Sequence, residues 1–249
     1  MSRTKAIIQL ANMMERTQDH NIPILQILIN CVTKLSKTEK NYIVKETELI
    51  TNYLDPVISP MFHDPDNNRL FRWLNQKNNA DTKEESTRPD GGMTVVNQLQ
   101  NVYALGFVEV KAIDACGNCT LTHMDTLRLA IFCKSTLDKD DVKCAIGVQA
   151  VGTYVTFFLC TIEQEALYPF VKIGRLDVPT SFENLPSFLS QLDTCARIIN
   201  TYNTFCVKRR QEESARSMIR PSLTQAQLMD VLHLKASDTS PTLKLTPTA

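Results

Sequence analysis

The chain has 249 residues, 43% of them hydrophobic, and carries 27 basic and 27 acidic side chains. Such a composition supports the buried core of one large domain or two small ones. A net charge near zero excludes a protein that holds nucleic acid by bulk charge, although a cleft of local positive potential stays open. No run approaches the ~20 apolar residues that a membrane span requires, so we expect no membrane partner.

The N-terminal segment and the cysteines predict the compartment. The segment MSRTKAIIQLANMMERTQDH is too charged, and its apolar run too short, for a secretory signal. Eight cysteines are scattered along the chain, most of them within apolar segments. We therefore expect reduced core thiols and an intracellular protein, either nuclear or cytoplasmic.

Two helical patterns precede the main domain. Apolar residues recur at helical spacing over residues 4–17, and again from Ile24 to Leu35 after Pro23. These patterns predict a helical N-terminal extension over residues 1–35. Two roles stay open for it, since it can complete the core or bind a partner.

A third helix is predicted over residues 38–54. Ser36 and Glu39 have the spacing of a capping box, and Asp55-Pro56 marks the predicted end. Glu46 falls on the apolar side of this helix. A carboxylate in such a place is costly unless it is paired, protonated or bound to a cation. Glu46 is therefore a candidate site residue, and a buried ion pair or a side chain reaching solvent is the alternative.

The stretch 88–111, RPDGGMTVVNQLQNVYALGFVEVK, contains two β-prone runs and predicts a hairpin. Asp90 comes before the first strand, and Glu109 and Lys111 lie on the second. Because successive strand side chains alternate, Glu109 and Lys111 share one face. Two carboxylates that converge beside a lysine can hold a divalent cation and offset the charge of an attacked phosphate. The alternative is an ordinary surface hairpin with scattered charges.

Pro89-Asp90, followed after a hairpin-length spacer by Glu109-Val110-Lys111, resembles the motif of the PD-(D/E)XK nuclease superfamily. The flanking segments FHDPDNNRLFRWLN and DTLRLAIFCKSTLD look like those of an uncharacterised group of fungal proteins related to that superfamily. The resemblance covers residues 36–205. It implies a restriction-endonuclease-like α/β core, in which a helix is followed by three strands, a helix and a strand.

The resemblance also implies a metal-dependent nuclease that hydrolyses phosphodiester bonds of nucleic acid, with DNA favoured over RNA. Asp90 and Glu109 would bind Mg²⁺ or Mn²⁺, and Glu46 matches an extra acid that such nucleases supply from the preceding helix. Lys111 would orient the attacking water or stabilise the charge on phosphorus. The alternative is a catalytically inactive module of the same fold that binds protein or nucleic acid, which the neutral net charge favours.

Two residues beyond the hairpin are candidates for substrate binding. A helix predicted over residues 122–135 carries Arg128 near the edge of its apolar side, within reach of a phosphate or of the motif acids. A structural salt bridge is the alternative for Arg128. Gln149 is the polar exception in the apolar strand predicted over Cys144–Val151, and it is the weaker candidate.

The remaining segments predict a central mixed sheet flanked by helices. The sequence leaves a strand and an additional helix equally open for residues 57–74, and LDKDD, residues 137–141, predicts a charged turn. The last predicted elements are strands over 154–161 and 167–178 and one long helix over 184–207, which closes a nuclease-like domain of residues 36–207.

Three segments are predicted to lie outside the regular elements. Residues 75–88 predict a long polar loop, and residues 208–249 predict a polar, partly disordered tail. Cys116 and Cys119 form a CxxC pair in a plain turn, with a zinc site or a redox dithiol as alternatives.

Overall fold

The computed structural model describes residues 2–74, 88–98, 100–113, 119–163, 166–209 and 219–222. Residues 1–219 form one compact unit, and residues 220–249 form a second, of which 220–222 are described. Within the described ranges, no helix combines the length and the apolarity needed to cross a membrane. Cys116 and nearly all of the predicted loop 75–88 and tail 208–249 lie outside them.

One sheet of six strands forms the middle of the first unit, and its spatial order is the order along the chain. The strands are β1 (Arg69–Trp73), β2 (Gly91–Asn97), β3 (Gln100–Lys111), β4 (Cys144–Val151), β5 (Tyr154–Thr161) and β6 (Phe170–Asp177). All neighbours are antiparallel except β3 and β4, which are parallel and connected by the helix α5 (Cys119–Asp140). The predicted class, an α/β fold with a mixed sheet flanked by helices, is confirmed.

The remaining helices surround this sheet. They are α1 (Arg3–Met14), α2 (Ile22–Lys34), α3 (Glu46–Leu49), α4 (Asp55–Phe62), α6 (Leu185–Leu189) and α7 (Leu192–Phe205). Helix α2 contributes Ile27 and Cys31 to the main core cluster, whereas α1 buries no residue fully. The guanidinium of Arg3 donates hydrogen bonds to the carbonyls of Val32 and Leu35, which holds α1 against the end of α2. The second N-terminal helix therefore completes the core.

The helix predicted over residues 38–54 differs at both ends. The Ser36 hydroxyl donates to the Thr38 carbonyl instead of capping a helix, and the Ser36 backbone pairs with Ser181. The helical segment begins at Glu46, passes through a π-helical turn over Ile50–Leu54 and continues as α4. Pro56 does not end it; this proline lies in the first turn of α4, directly after the π-helical turn.

The structure also decides the predictions for residues 57–74 and 137–141. Residues 57–74 contain both of the predicted alternatives, the end of α4 and strand β1. The predicted turn over residues 137–141 is wrong, since α5 runs on to Asp140. Leu137 is buried one turn after Cys133, and Lys134 pairs with Asp138 at 2.6 Å, which supports the additional turn.

The predicted helix over residues 184–207 is split into α6 and α7. The break coincides with Gln191, whose side chain accepts from the backbone N–H of Asp177 and donates to its carbonyl. These two bonds hold the interruption against the end of β6. They could not be read from helical periodicity, because Gln191 and Asp177 are distant in sequence.

The sheet separates two different layers. On one side, the Phe62 ring of α4 lies 6.2 Å from Phe157 of β5 and 5.0 Å from Tyr202 of α7, between ring centroids. On the other side, Phe107 of β3 contacts Phe132 of α5 at 5.4 Å. Because side chains alternate along β3, Glu109 and Lys111 share the α5 face with Phe107.

Candidate active site

Asp90 lies at the entrance to β2, beside β3. Its backbone N–H donates to the Val108 carbonyl at 2.9 Å, and its carboxylate oxygen Oδ2 accepts from the Val110 N–H at 2.7 Å. The carboxylate oxygen thus accepts a hydrogen bond that a backbone carbonyl would accept in a continuous pair of strands. Asp90 therefore bonds to β3 at Val108 and at Val110, the two residues that flank Glu109.

Glu109 is a buried acid under α5. Its side chain is 2% exposed, and its Oε1 atom lies 3.3 Å from Nη2 of Arg128. Burial raises the pKa of Glu109 from 4.5 to about 8; the Arg128 charge opposes this rise, and the Asp90 charge adds to it. The Arg128 contact has an ion-pair distance but not hydrogen-bond geometry, so Oε1 has no hydrogen-bond partner. A buried acceptor in this state is suited to a further ligand.

Asp125, in the first half of α5, is a site residue that sequence reasoning missed. Its side chain is 5% exposed, and it lies 3.5 Å from the Lys111 ammonium and 3.5 Å from the Arg128 guanidinium. Burial raises the pKa of Asp125, while Lys111 and Arg128 oppose the rise. The available signal was its position three residues before Arg128, which puts both on one helix face.

Lys111 and Arg128 supply the positive charge of this cluster. Together with Asp90, Glu109 and Asp125 they form the ionic cluster, a name used below for these five residues. Three carboxyl groups face two cations, so protonation of one acid brings the ionic cluster to neutrality. The high pKa of Glu109 identifies that acid as the one which most readily holds the proton.

Gln149 connects the ionic cluster to the rest of the sheet. It is the partner of Glu109 in the parallel register of β3 and β4. Its amide nitrogen donates to the Thr122 carbonyl at 2.7 Å, and its amide oxygen accepts from the Thr126 hydroxyl at 3.1 Å. The side chain therefore anchors the start of α5 on β4 and positions the helix that carries Asp125. Direct contact of Gln149 with a substrate stays a prediction.

Glu46 lies on α3, a different element from those that carry the other candidates. It is half-buried at the start of α3. The four charged groups with the largest effect on the pKa of Glu109 are those of Arg128, Asp90, Asp125 and Lys111, and Glu46 is not one of them. Its role as an additional metal ligand stays a prediction, whereas Asp125 supplies an acid close to the hairpin.

The donor atoms suit a hard divalent cation in type. Carboxylate oxygens are the ligands that Mg²⁺ and Mn²⁺ prefer. The buried Oε1 atom of Glu109 accepts no hydrogen bond and can accept a bond from a further ligand. Among the described residues, however, no group of three or more His, Cys, Asp or Glu side chains is already gathered as a metal site. In the present arrangement, Arg128 and Lys111 balance the carboxylates.

The side chains of six of the eight cysteines are described, and all six are free and buried. Burial raises the pKa of Cys31, Cys160 and Cys195 to about 12, so these thiols are unreactive at neutral pH. They agree with the prediction of reduced core residues. Cys116 lies outside the described residues, and the alternatives for the CxxC pair stay open.

A pocket of about 370 Å³ lies away from the ionic cluster and is lined by residues that include Tyr42, Tyr53 and Asp177. None of the candidate residues lines it. The acids of raised pKa and the basic groups converge at the ionic cluster instead, which makes it the candidate active site.

The fold and the ionic cluster together define an α/β protein with buried acids at the end of a hairpin. Comparison of the chain with protein-family models, with curated proteins and with solved structures gave no match.

Proposed function

We propose that the chain is a metal-dependent nuclease that hydrolyses phosphodiester bonds at the ionic cluster. The observation that carries the proposal is the convergence of Asp90, Glu109 and Lys111. The Asp90 carboxylate accepts from the backbone N–H of Val110, the residue between Glu109 and Lys111, and Lys111 lies on the same face of β3 as Glu109. A structural hairpin has no need of buried acids beside a lysine, because well-packed apolar residues are often at least as stable as a buried ion pair.

The order of the elements supports the same proposal. Helix α4 is followed by the antiparallel strands β1, β2 and β3, then by α5, and then by β4 parallel to β3. This is the order of helix, three strands, helix and strand that a restriction-endonuclease-like core requires. Strands β5 and β6 extend the sheet beyond it.

In the proposed reaction, Asp90 and Glu109 would hold Mg²⁺ or Mn²⁺, with Asp125 or Glu46 as an additional acid. The ion would polarise the phosphoryl oxygen and lower the pKa of a bound water. Lys111 would orient that water or stabilise negative charge developing on phosphorus. Arg128, released from the acids by the cation, would bind a phosphate oxygen through its guanidinium. DNA is the favoured substrate over RNA, as the sequence resemblance implies.

The acids also predict how the proposed metal binding depends on pH. A carboxyl group must lose its proton before it binds a cation. Because burial raises the pKa of Glu109 to about 8, metal affinity should increase as the pH rises towards that value.

The second candidate is an inactive module of the same fold that binds protein or nucleic acid. It is favoured by a specific observation: Arg128 already pairs with both Glu109 and Asp125, and Lys111 pairs with Asp125. An ionic cluster balanced by its own cations folds without a metal. In that case, the five residues are structural.

A cleavage assay separates these candidates. The protein would be incubated with single-stranded DNA, double-stranded DNA and RNA, each with Mg²⁺, Mn²⁺ or EDTA. Asp90→Asn and Lys111→Ala test the site, and their matched controls are Asp193→Asn and Lys139→Ala, which change exposed residues. Loss of one charge-stabilising group in such a site reduces the rate by about 100-fold or more.

The nuclease proposal predicts metal-dependent cleavage that is lost in both site variants and kept in both controls. Absence of cleavage by the folded wild-type protein with every substrate and metal would reject it in favour of the inactive module. Cleavage that persists in Asp90→Asn and Lys111→Ala would show that the activity belongs to a different site.

A further inference from the structure

Four polar residues form a row across the sheet on the α5 face. Glu109 of β3 pairs with Gln149 of β4, Gln149 with Thr156 of β5, and Thr156 with Arg175 of β6. Paired residues of neighbouring strands point to the same face. The row therefore leads from the ionic cluster to an arginine three strands away, about 14 Å at ~4.8 Å per strand.

A pocket of about 230 Å³ lies over the far half of this row. Gln149, Thr156, Arg175, Tyr154 and His123 are among its lining residues. Ligand pockets that enclose a drug-sized molecule usually measure roughly 300–1,000 Å³. A smaller and open site suits one unit of a polymer that continues beyond the pocket, rather than a separate small molecule.

Arg175 and Tyr154 give this pocket an exposed cation and an exposed aromatic ring. The guanidinium carbon of Arg175 lies 4.5 Å from the centre of the Tyr154 ring, and Tyr154 is 41% exposed. Among the described residues, no acid forms an ion pair with Arg175, in contrast to Arg128. The tyrosine ring thus orients a guanidinium whose charge is not neutralised locally.

These features match the chemistry of a nucleotide. A guanidinium binds a phosphate through two parallel hydrogen bonds. An exposed aromatic ring stacks on a base of a single strand, and this contact is tolerant of sequence. A paired base offers its faces to its own neighbours, so the same ring cannot stack on a base within a duplex.

We propose that the pocket around Arg175 and Tyr154 is a subsite for one nucleotide of single-stranded nucleic acid, removed along the strand from the cleaved bond. Arg175 binds a backbone phosphate, and Tyr154 stacks on the unpaired base. Gln149 and Thr156 line the floor of this subsite, and the start of α5, which Gln149 anchors, lies between the subsite and the ionic cluster. The inference rests on the proposed function, since it assigns a substrate class to the same site.

The test measures binding in EDTA, so that it does not depend on cleavage. Fluorescence anisotropy would follow labelled single-stranded and duplex oligonucleotides with the wild-type protein and with Arg175→Ala, Tyr154→Ala and Tyr154→Phe. Arg197→Ala changes an exposed arginine of α7 and serves as the matched control. Thermal unfolding of each variant would establish that it is folded.

We expect Arg175→Ala and Tyr154→Ala each to weaken single-strand binding by about tenfold, the lower part of the range for loss of a stacked base. Tyr154→Phe keeps the ring and should bind like the wild type. Loss of one phosphate contact should reduce the slope of log affinity against log salt by about 0.7 in Arg175→Ala only. Duplex binding and Arg197→Ala should be unaffected.

The subsite is rejected if Arg175→Ala and Tyr154→Ala bind single strands like the wild type, or if both lose duplex and single-strand affinity equally. Failure of wild-type protein to bind single strands would also reject it. The outcome is separable from that of the nuclease proposal. If the protein does not cleave nucleic acid but its single-strand binding depends on Arg175, the subsite stands and the nuclease proposal fails. If the protein cleaves and Arg175→Ala and Tyr154→Ala leave cleavage unaffected, the nuclease proposal stands without the subsite.

Discussion

The two faces of the sheet differ in what they bury. Phe62, Phe157 and Tyr202 pack between the sheet and the helices α4 and α7, and each is at most 1% exposed. Between the sheet and α5, the buried residues include Glu109 at 2% and Asp125 at 4%. Burial of aromatic rings stabilises the fold, whereas burial of acids opposes it. Packing on the α4/α7 face therefore stabilises the fold and offsets the free-energy cost of the acids buried on the α5 face.

This contrast indicates why the acids lie where they do. A protein retains buried charges mainly where they serve a function or specify a structure, because well-packed apolar residues would be at least as stable. The acids, the basic groups and the polar row occupy the same face of β3 and β4. If the two faces are divided in this way, substitutions on each should have different consequences for stability and for activity.

The largest effect is expected from the α4/α7 face. Phe62→Ala leaves a cavity among three aromatic rings and should reduce the free energy of unfolding by about 3–5 kcal/mol. Urea denaturation measures this change. Phe205→Ala is the control, since Phe205 is 48% exposed, and it should cost less than about 1 kcal/mol. Equal effects of the two substitutions would show that this face is not the main source of stability.

A smaller loss is expected from the ionic cluster. Arg128→Ala removes the partner shared by Glu109 and Asp125, and should destabilise the protein by about 2–3 kcal/mol near pH 8. This is below the ~3–5 kcal/mol of a fully buried pair, because the Arg128 side chain is 28% exposed. Arg197→Ala provides the comparison. A loss that is unchanged at low pH, where both acids are protonated, would contradict an electrostatic origin.

The pH dependence of stability tests the α5 face directly. Glu109 has a pKa of about 8 in the folded protein against an ordinary value of 4.5. Glu109 therefore binds a proton more tightly in the folded protein than in the unfolded chain. The stability that this proton contributes is lost as the pH rises from about 4.5 to about 8. The raised pKa of Asp125 acts in the same direction.

In Glu109→Gln, the free energy of unfolding should therefore fall less between about pH 5 and about pH 8 than in the wild type, because an amide does not titrate. Urea denaturation in EDTA at several pH values measures the difference. Glu183→Gln, at an exposed position, is the control and should follow the wild type. A wild-type stability that rises across this window would contradict a protonated Glu109.

The smallest effect concerns a polar atom on the apolar face. The Tyr202 hydroxyl is buried without a hydrogen-bond partner. Tyr202→Phe removes that group and keeps the ring, so the free energy of unfolding should stay the same or rise by up to about 1 kcal/mol. A loss above about 1 kcal/mol, measured by urea denaturation, would show that the hydroxyl has a stabilising partner and that this face is less purely apolar.

Much of the sheet could be predicted because strand signals are local. The hairpin over 88–111 and the strands Cys144–Val151 and Tyr154–Thr161 agree with the structure. Two helix predictions failed because a distant contact decided the outcome. Ser36 pairs with Ser181 and so begins no helix, and Gln191 binds the backbone of Asp177 and interrupts the predicted long helix.

The candidate site was predictable to the same extent. The sequence alone determined that Glu109 and Lys111 share a face, because alternation along a strand is a property of the local backbone. Only the tertiary structure brought Asp125 against Lys111 and aligned Gln149, Thr156 and Arg175 with Glu109. The register between strands and the seat of a helix depend on packing across the whole core, which no local pattern encodes.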